Sequence, residues 1–169
     1  MFAPCLSVVL EWHSATAEHR SHLTSFRCTY PPYPRIDEET GEEFHDYPWE
    51  LEVQRHINRL RPPLSPPGFL LLGFDEGALA ALLEVIVTPL DRFCFIPTLA
   101  VAHDRSRNGL AGEALDLVER VMQKYDFADD FVVQARIDPD NHSAKSVFAG
   151  RKYAKLEFLN GYETWGRLY

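Results

Sequence analysis

The chain has 169 residues, 46% hydrophobic and 25% charged, and its 25 acidic residues against 17 lysines and arginines give a net charge of −8. This composition predicts one soluble globular domain over residues 1–169, and the negative charge argues against nucleic acid as a partner. No apolar segment approaches the roughly 20 residues that span a bilayer, and no secretory signal is recognised, so we expect no membrane partner. The cysteines, Cys5, Cys28 and Cys94, lack metal-type spacing and predict reduced thiols in a cytoplasmic protein.

The first third of the chain predicts one strand, one helix and a long polar connection. Leu6–Trp12 is apolar and predicts a strand, and Ser14 is predicted to cap a helix over Thr16–Phe26. Three prolines in residues 30–34 exclude a helix or central strand there. The acid-rich run over residues 37–46 has two interpretations, a solvated mobile loop or a negative rim that attracts a cationic amine.

A helix and a hairpin come next. Asp46-Tyr47-Pro48 is a good helix start, and Arg61-Pro62-Pro63 ends the helix. Its apolar residues Trp49, Val53, Ile57 and Leu60 fall on one face. Gly68–Phe74 and Ala78–Val87 predict two strands joined by a turn at Asp75-Glu76-Gly77.

The stretch that follows predicts a strand over Phe93–Val101, a polar turn over His103–Gly109, and a helix from Leu110. A helix that begins at a glycine-containing turn directs unpaired N–H groups and a positive dipole end at whatever precedes it, which favours a bound phosphate. Arg105 and Arg107 strengthen this interpretation, because guanidinium pairs well with phosphate. The plainer alternative is a surface turn in which Gly109 only permits an unusual backbone angle.

The last third adds a strand over Phe131–Ile137, a helix over Asn141–Ala149, and strands at Tyr153–Phe158 and Tyr162–Leu168 joined by Asn160-Gly161. The predicted order is β-α-α-β-β-β-α-β-α-β-β. It favours an α/β fold with a mixed central sheet and helices on both faces. The terminal hairpin is a candidate edge for a homodimer.

The turn from Ser106 to Ala111 resembles the pyrophosphate loop of the GNAT N-acetyltransferase superfamily, whose pattern is Arg/Gln-x-x-Gly-x-Gly/Ala after a strand that often ends in Leu-Ala-Val. Leu99-Ala100-Val101, Gly109 and Ala111 match, whereas Ser106 departs from the pattern. The predicted element order is also that of the family. The resemblance implies acetyl-CoA as co-substrate, held by Leu99, Ala100, Val101, Arg105, Ser106, Arg107, Asn108, Gly109, Leu110, Ala111 and Gly112.

A second segment, from Asn141 to Tyr153, resembles the family pattern Asn-x-x-Ala-x-x-Leu-Tyr-x-x-x-Gly-Phe, which lies along the pantetheine and thiol of the cofactor. The resemblance adds Asn141, Ala144 and Phe148 to the cofactor site, and Asn141 also suits a helix N-cap. Phe148 stands where many members carry a tyrosine thought to protonate the leaving thiolate. Tyr153, Tyr30 and Tyr33 are candidate substitutes, although Tyr153 is explained more simply as a core aromatic.

The resemblance implies an acyltransferase that moves an acetyl group to an amine, either a small cationic amine or a protein amine, without a metal. Glu84 is the preferred general base, because it is the only charge in an apolar strand and a carboxylate there could face a cleft and act through water. The solvent side of the strand is the alternative, and Glu11 and His13 are weaker candidates. Pro97 favours an irregular strand, and in the family a bulge at this place leaves N–H groups facing the acyl chain.

Two other functions stay open from the sequence. Because Phe148 and Ser106 are both off-pattern, the protein could be an acyl-CoA-binding regulatory module without strong catalysis. Phe26-Arg27-Cys28 has some similarity to the start of toxin-type members that acetylate aminoacyl-tRNA, but the net charge of −8 argues against this alternative.

Overall fold

The computed structural model describes residues 9–123 and 130–169. Their strands are β1 (Glu11–Ser14), β2 (Arg35–Ile36), β3 (Glu43–Phe44), β4 (Gly68–Asp75), β5 (Ala78–Thr88), β6 (Phe93–Val101), β7 (Val132–Ile137), β8 (Ala154–Leu159) and β9 (Tyr162–Leu168). Their helices are α1 (Arg20–Ser25), α2 (Pro48–Arg59), α3 (Leu110–Gln123) and α4 (His142–Gly150). Seven strands form one sheet in the order β1-β4-β5-β6-β7-β9-β8, in which only β6 and β7 pair in parallel. The predicted α/β fold with a mixed sheet is confirmed.

Two helical layers bury the two faces of this sheet. On one face, α3 and α4 pack against β5, β6 and β7 through residues such as Val85, Val118 and Val133. On the other face, α1 and α2 cover β4 and β5 through residues such as Leu23 and Ile57. A fully buried aliphatic side chain of this kind contributes roughly 1.5–3 kcal/mol. Among the described residues no helix has both the length and the apolar character needed to cross a bilayer.

The start of the chain differs from the prediction. Strand β1 begins at Glu11 rather than Leu6, and residues 6–8 lie outside the described residues. The polar residues within 126–130 predict a break after the helix that starts at Leu110, and all of them except Asp130 also lie outside the described residues. Ser14 does not cap the first helix, because it still pairs with Leu71 of β4. Thr16 instead precedes a 3-10 turn over Ala17–His19 that leads into α1, and its N–H donates to His19 Nδ1 at 3.0 Å.

The acid-rich run over residues 37–46 forms a short hairpin rather than an unstructured loop. Strands β2 and β3 pair, and Asp37 accepts hydrogen bonds from the N–H groups of Thr40 at 2.8 Å and Glu39 at 3.0 Å. These bonds, that from Thr40 first, lower the pKa of Asp37. Arg35 closes the hairpin through an ion pair of 2.5 Å with Asp46.

Strand β6 contains a bulge at the centre of the sheet. Thr98 pairs with Glu84 of β5, but the next pair joins Phe95 with Ile86, so β6 has one more residue than β5 over this interval. Because side chains alternate along a strand, the extra residue inverts the alternation. Ile96 therefore faces α3 and α4, whereas Ala100, also even-numbered, faces α1 and α2.

The same place ends the pairing between β6 and β7. The last parallel pair is Ile96 with Ala135, although both strands continue further. Pro97, the next residue, has no N–H to continue the ladder. The predicted irregular strand at Pro97 is thus confirmed, and beyond it the two strands diverge.

Candidate active site

A cleft of about 400 Å³ opens where β6 and β7 diverge. Helix α2 contributes Trp49, Glu52, Val53 and His56 to the lining. Helix α4 and the turn before it contribute Asn141, Ala144 and Phe148. Residues 95–99 of β6, residues 135–137 of β7, Asp138 directly after β7 and Tyr162 of β9 complete it. Because α2 and α4 lie on opposite faces of the sheet, the cleft is bounded from both faces, and two substrates can approach its centre from opposite sides.

Four of the predicted cofactor residues, Leu99, Asn141, Ala144 and Phe148, line this cleft. Ala100 is buried under α1 and α2, and Val101 ends the strand. The predicted N-cap is confirmed, since Asn141 Oδ1 accepts a hydrogen bond from the Ala144 N–H at 3.0 Å. Residues from two segments that are distant in sequence thus line one cavity.

The turn between β6 and α3 has the backbone expected of an anion site. Arg107 and Gly109 have positive φ values of 68° and 79°, and α3 begins at Leu110. The first bond of the helix runs from the Glu113 N–H to the Gly109 carbonyl at 3.1 Å. Within the described part of the chain, the N–H groups of residues 107–112, which include Asn108 and Ala111, have no hydrogen-bond partner. A helix start with unpaired amides of this kind suits a phosphate.

The polar groups of the turn differ in whether the rest of the fold already engages them. The Arg105 guanidinium forms an ion pair with Asp75 at the β4–β5 turn, so it fastens the loop to that hairpin. The Ser106 N–H donates to the His103 carbonyl at 3.3 Å, which leaves this amide engaged. Arg107 is exposed and has no ion pair among the described residues. Positive charge for a bound anion therefore falls to Arg107 more than to Arg105.

A further arginine, which the sequence did not indicate, lies over the first turn of α3. A Cβ added to the buried Gly112 would lie 2.2 Å from the Arg151 Nη2 atom, so the guanidinium lies where a larger residue would project. Asp116, one turn further along α3, holds Arg151 through distances of 3.2 and 3.3 Å. The two residues are 35 positions apart in sequence, so no local sequence pattern predicts this contact.

Glu84 lies on the α2 side of the sheet rather than in solvent, and its side chain is only 10% exposed. Its Oε2 atom accepts a hydrogen bond from Thr98 Oγ1 at 2.9 Å and lies 2.7 Å from His56 Nε2. A carboxylate only accepts, so the histidine nitrogen is the donor. His56, on α2, is 46% exposed and lines the cleft, which makes it the more accessible basic group. Sequence reasoning missed His56, because nothing near it signals a partner 28 residues away.

The other predicted candidates lie elsewhere. Glu11 and His13 are exposed on the edge strand β1. Tyr153 is buried edge-on against Phe148, with ring centroids 5.0 Å apart, and its hydroxyl lies 3.3 Å from that of Tyr169. Burial is the main cause that raises the pKa of Tyr153. Tyr30 stacks on His103 outside the cleft, and Tyr33 is exposed.

Tyr162 is the tyrosine that does line the cleft. Its hydroxyl donates to Glu52 Oε2 at 3.0 Å, and this bond is the main cause that raises the pKa of Tyr162. The bond joins β9 to α2 across the opening between β6 and β7. The lining also includes Asp138 and Arg136, so its carboxylates, Glu52 and Asp138, outnumber its one arginine. In the described ranges no group of three or more His, Cys, Asp or Glu is arranged to hold a metal ion.

Comparison with known proteins supports the geometry at the level of the fold. The PaiA N-acetyltransferase from Thermoplasma acidophilum, solved with coenzyme A, matches with a TM-score of 0.67 and 14% identity over 95% of this chain and 99% of that one. A GNAT-family acetyltransferase from Streptococcus pneumoniae matches with a TM-score of 0.62 and 14% identity over 95% and 99% of the two chains. The spermidine/spermine N-acetyltransferase SpeG from Vibrio cholerae matches with a TM-score of 0.60 and 12% identity over 94% and 93%.

Neither the protein-family models nor the curated proteins gave a match to the sequence. The solved structures nonetheless agree in architecture over almost the full length of the chain. The protein therefore has the fold of the GNAT acetyltransferases.

Proposed function

We propose that the protein is an N-acyltransferase that moves an acetyl group from acetyl-CoA to an amine. The observation that carries this proposal is the cleft at the divergence of β6 and β7, with the His56–Glu84 pair on its α2 side and the matched Leu99 and Asn141 in its lining. An amide-rich turn follows directly at the end of β6. This arrangement separates a donor side from an acceptor side around one cavity.

The residues present fit the donor. The unpaired amides of residues 107–112 would hold the pyrophosphate, with charge from Arg107, whereas Arg151 is already paired with Asp116. Beyond Pro97, the edge of β6 that faces β7 is not paired with that strand, and this edge would bond the amides of the pantetheine arm together with Asn141. Backbone N–H groups on this edge would also stabilise negative charge on the thioester oxygen during attack.

The acceptor would be activated from the α2 side. Because the His56 Nε2–H donates a hydrogen bond to Glu84, Nδ1 is the basic nitrogen of His56, and the buried carboxylate fixes the orientation of the ring. In this proposal Glu84 positions His56, and His56 takes a proton from the attacking amine. The amine nitrogen bonds to the carbonyl carbon, and the bond from that carbon to sulfur breaks.

The acceptor class follows from charge. Glu52, Glu84 and Asp138 lie in or beside the cleft and outnumber Arg136, which also lines it, and this excess of negative charge favours a cationic amine. The exposed acids of the β2–β3 hairpin are not in the cleft lining of the described chain, so their contribution would be long-range attraction. A small polyamine and a protein amine both satisfy this chemistry.

The test is a thiol-release assay with acetyl-CoA and a panel of amines, run beside calorimetry of acetyl-CoA binding. Release of free thiol with one or more amines, reduced about 10²-fold or more by His56→Gln, is the expected result. Tight binding without thiol release for any amine would instead favour the regulatory acyl-CoA-binding module. Absence of binding would exclude both functions.

A further inference from the structure

In the proposed transfer, the departing sulfur of coenzyme A needs a proton whose source is not yet assigned. His56 removes a proton from the amine, but the sulfur of coenzyme A departs as a thiolate and must gain one. Phe148, at the position where the resemblance leads one to expect a tyrosine, has no proton to give and is buried against Tyr153. A positioned general acid is typically worth roughly 10²–10⁴-fold in rate, so the identity of the donor matters.

The candidate donors in the cleft are few. The hydroxyls of Tyr153 and Tyr169 pair with each other, and neither residue lines the cleft in the described chain. Thr98 Oγ1 is engaged with Glu84, and an aliphatic hydroxyl is a much weaker acid than a phenol. His56 is committed to the opposite task, removal of a proton.

Tyr162 meets the requirements that these groups fail. It lines the same cavity as Phe148, Asn141 and Leu99, and it is half-buried, so its ring is held while its hydroxyl stays accessible. Its hydroxyl group is fixed by Glu52 at 3.0 Å across the divergence of β6 and β7. The pair therefore holds a phenolic O–H in the lining of the cleft that the two substrates would share.

We infer that Tyr162 is the general acid that protonates the departing thiolate, in place of the missing hydroxyl at residue 148. The inference rests on the proposed acetyl transfer. As the bond from the carbonyl carbon to sulfur breaks, its electron pair goes to sulfur. The Tyr162 hydroxyl rotates from Glu52 toward the sulfur and transfers its proton to it. The product is a neutral thiol, and the phenolate regains its proton from water. His56 releases the amine proton to water, so protons balance over the cycle.

Glu52 is a positioning residue in this scheme. Its carboxylate orients the hydroxyl, and its negative charge disfavours the phenolate, so Tyr162 stays protonated and able to donate. The raised pKa of Tyr162 agrees with this role, because the proton stays in place through the neutral range. The activity of the acid form is then expected to persist up to and beyond the ordinary tyrosine pKa of about 10.

The experiment compares Tyr162→Phe with wild type on two acetyl donors and one acceptor amine. The donors are acetyl-CoA, whose thiolate needs a proton, and p-nitrophenyl acetate, whose leaving group departs without one. With acetyl-CoA, kcat should fall about 10²-fold while the affinity for acetyl-CoA, measured by calorimetry, stays unchanged. With p-nitrophenyl acetate, the two proteins should transfer at equal rates. Tyr33→Phe, at an exposed tyrosine outside the cleft, is the matched control.

Three results would overturn the inference. An unchanged kcat with acetyl-CoA would mean that another group, or water, protonates the sulfur. Equal losses with both donors, or a raised KM for the amine alone, would make Tyr162 an acceptor contact. If wild-type protein releases no thiol with any amine, the proposed function itself fails, and that failure is visible before any variant is made.

Discussion

His56 Nε2 and Glu84 Oε2 lie 2.7 Å apart, and they join the polar face of α2 to the most central antiparallel pair of the sheet. The histidine is half-exposed and the carboxylate is buried, so one partner can be reached from the cleft while the other holds it in place. Thr98 completes the arrangement with a second hydrogen bond to the same oxygen, at 2.9 Å. Glu84 thus cannot turn away from His56 without breaking a buried contact.

The first prediction separates the roles of these residues. His56→Gln should lower kcat about 10²-fold or more, because the base is lost. Glu84→Gln should lower it less, because the ring remains but its orientation and tautomer are no longer fixed. Neither change should alter the affinity for acetyl-CoA. His45→Gln, at an imidazole outside the cleft, is the control, and a wild-type rate for His56→Gln would remove the assigned base.

The second prediction concerns the turn before α3. Gly109→Asp should weaken acetyl-CoA binding by well over tenfold, about 1.4 kcal/mol or more, because it adds a negative charge where the pyrophosphate should lie. Gly41→Asp is a matched control, since both glycines have positive φ, 79° and 72°, and both have open space at the added Cβ. Calorimetry on the two variants distinguishes lost binding from backbone strain. Equal affinities would place the phosphate site elsewhere.

The third prediction is a pH dependence of stability from Glu163. Lys155 donates to Glu163 at 2.8 Å and Trp165 Nε1 donates at 3.0 Å, and these bonds, that from Lys155 first, lower the pKa of the carboxyl. A depressed carboxyl pKa stabilises the fold above the unfolded value of about 4.3, and this contribution is lost as pH falls through the folded value. Glu163→Gln should therefore destabilise at about pH 7 and matter little at about pH 3.

Chemical denaturation of the wild type and of Glu163→Gln at both pH values measures this effect. Glu157→Gln, an exposed carboxylate on the same hairpin, is the control and should change stability little at either pH. A constant difference between Glu163→Gln and wild type across the whole pH range would show that packing, rather than ionisation, accounts for the effect.

The fourth prediction concerns the thiols. Burial is the main cause that raises the pKa of Cys28 and of Cys94, each to about 12. Because the thiolate is the nucleophile, neither thiol should be alkylated in folded protein at about pH 8, and both should react in denaturant. Site-resolved mass spectrometry after iodoacetamide treatment measures this. The same burial predicts direct transfer without an acetyl-cysteine intermediate at either residue, and rapid labelling of Cys28 in native protein would contradict it.

Elements with strong local signals could be predicted from the sequence. Strand β6, helix α3 and the Asn160-Gly161 turn follow from periodicity and turn chemistry, and their predicted positions agree with the structure. Ser14 failed as a cap because strand pairing with Leu71 outweighed its local preference. The β2–β3 hairpin was missed because its apolar residues are too few to stand out from the acids around them.

The site was predictable only where one segment carries the signal. The turn from Ser106 to Gly112 and the Asn141 cap are local, whereas His56–Glu84, Tyr162–Glu52 and Arg151–Gly112 join segments that are far apart in sequence. Such pairs are set by tertiary packing, which a single sequence does not display. The predicted Glu84 nevertheless lies beside the candidate cleft and is bonded to His56, as expected of a lone charge in an apolar strand, which requires a partner.

The additional residue of β6 has a consequence for how the length of this strand can vary. Because it inverts the alternation, Thr98 points toward Glu84 while Leu99, the next residue, lines the cleft. Deletion of Pro97 would join Ile96 directly to Thr98 and give a regular ladder in which Thr98 still lies opposite Glu84, so both halves of the strand would keep their directions. The bulge can therefore be lost without exchanging the two faces of the sheet, whereas a single-residue deletion further along β6 would reverse the side chains between that point and the bulge.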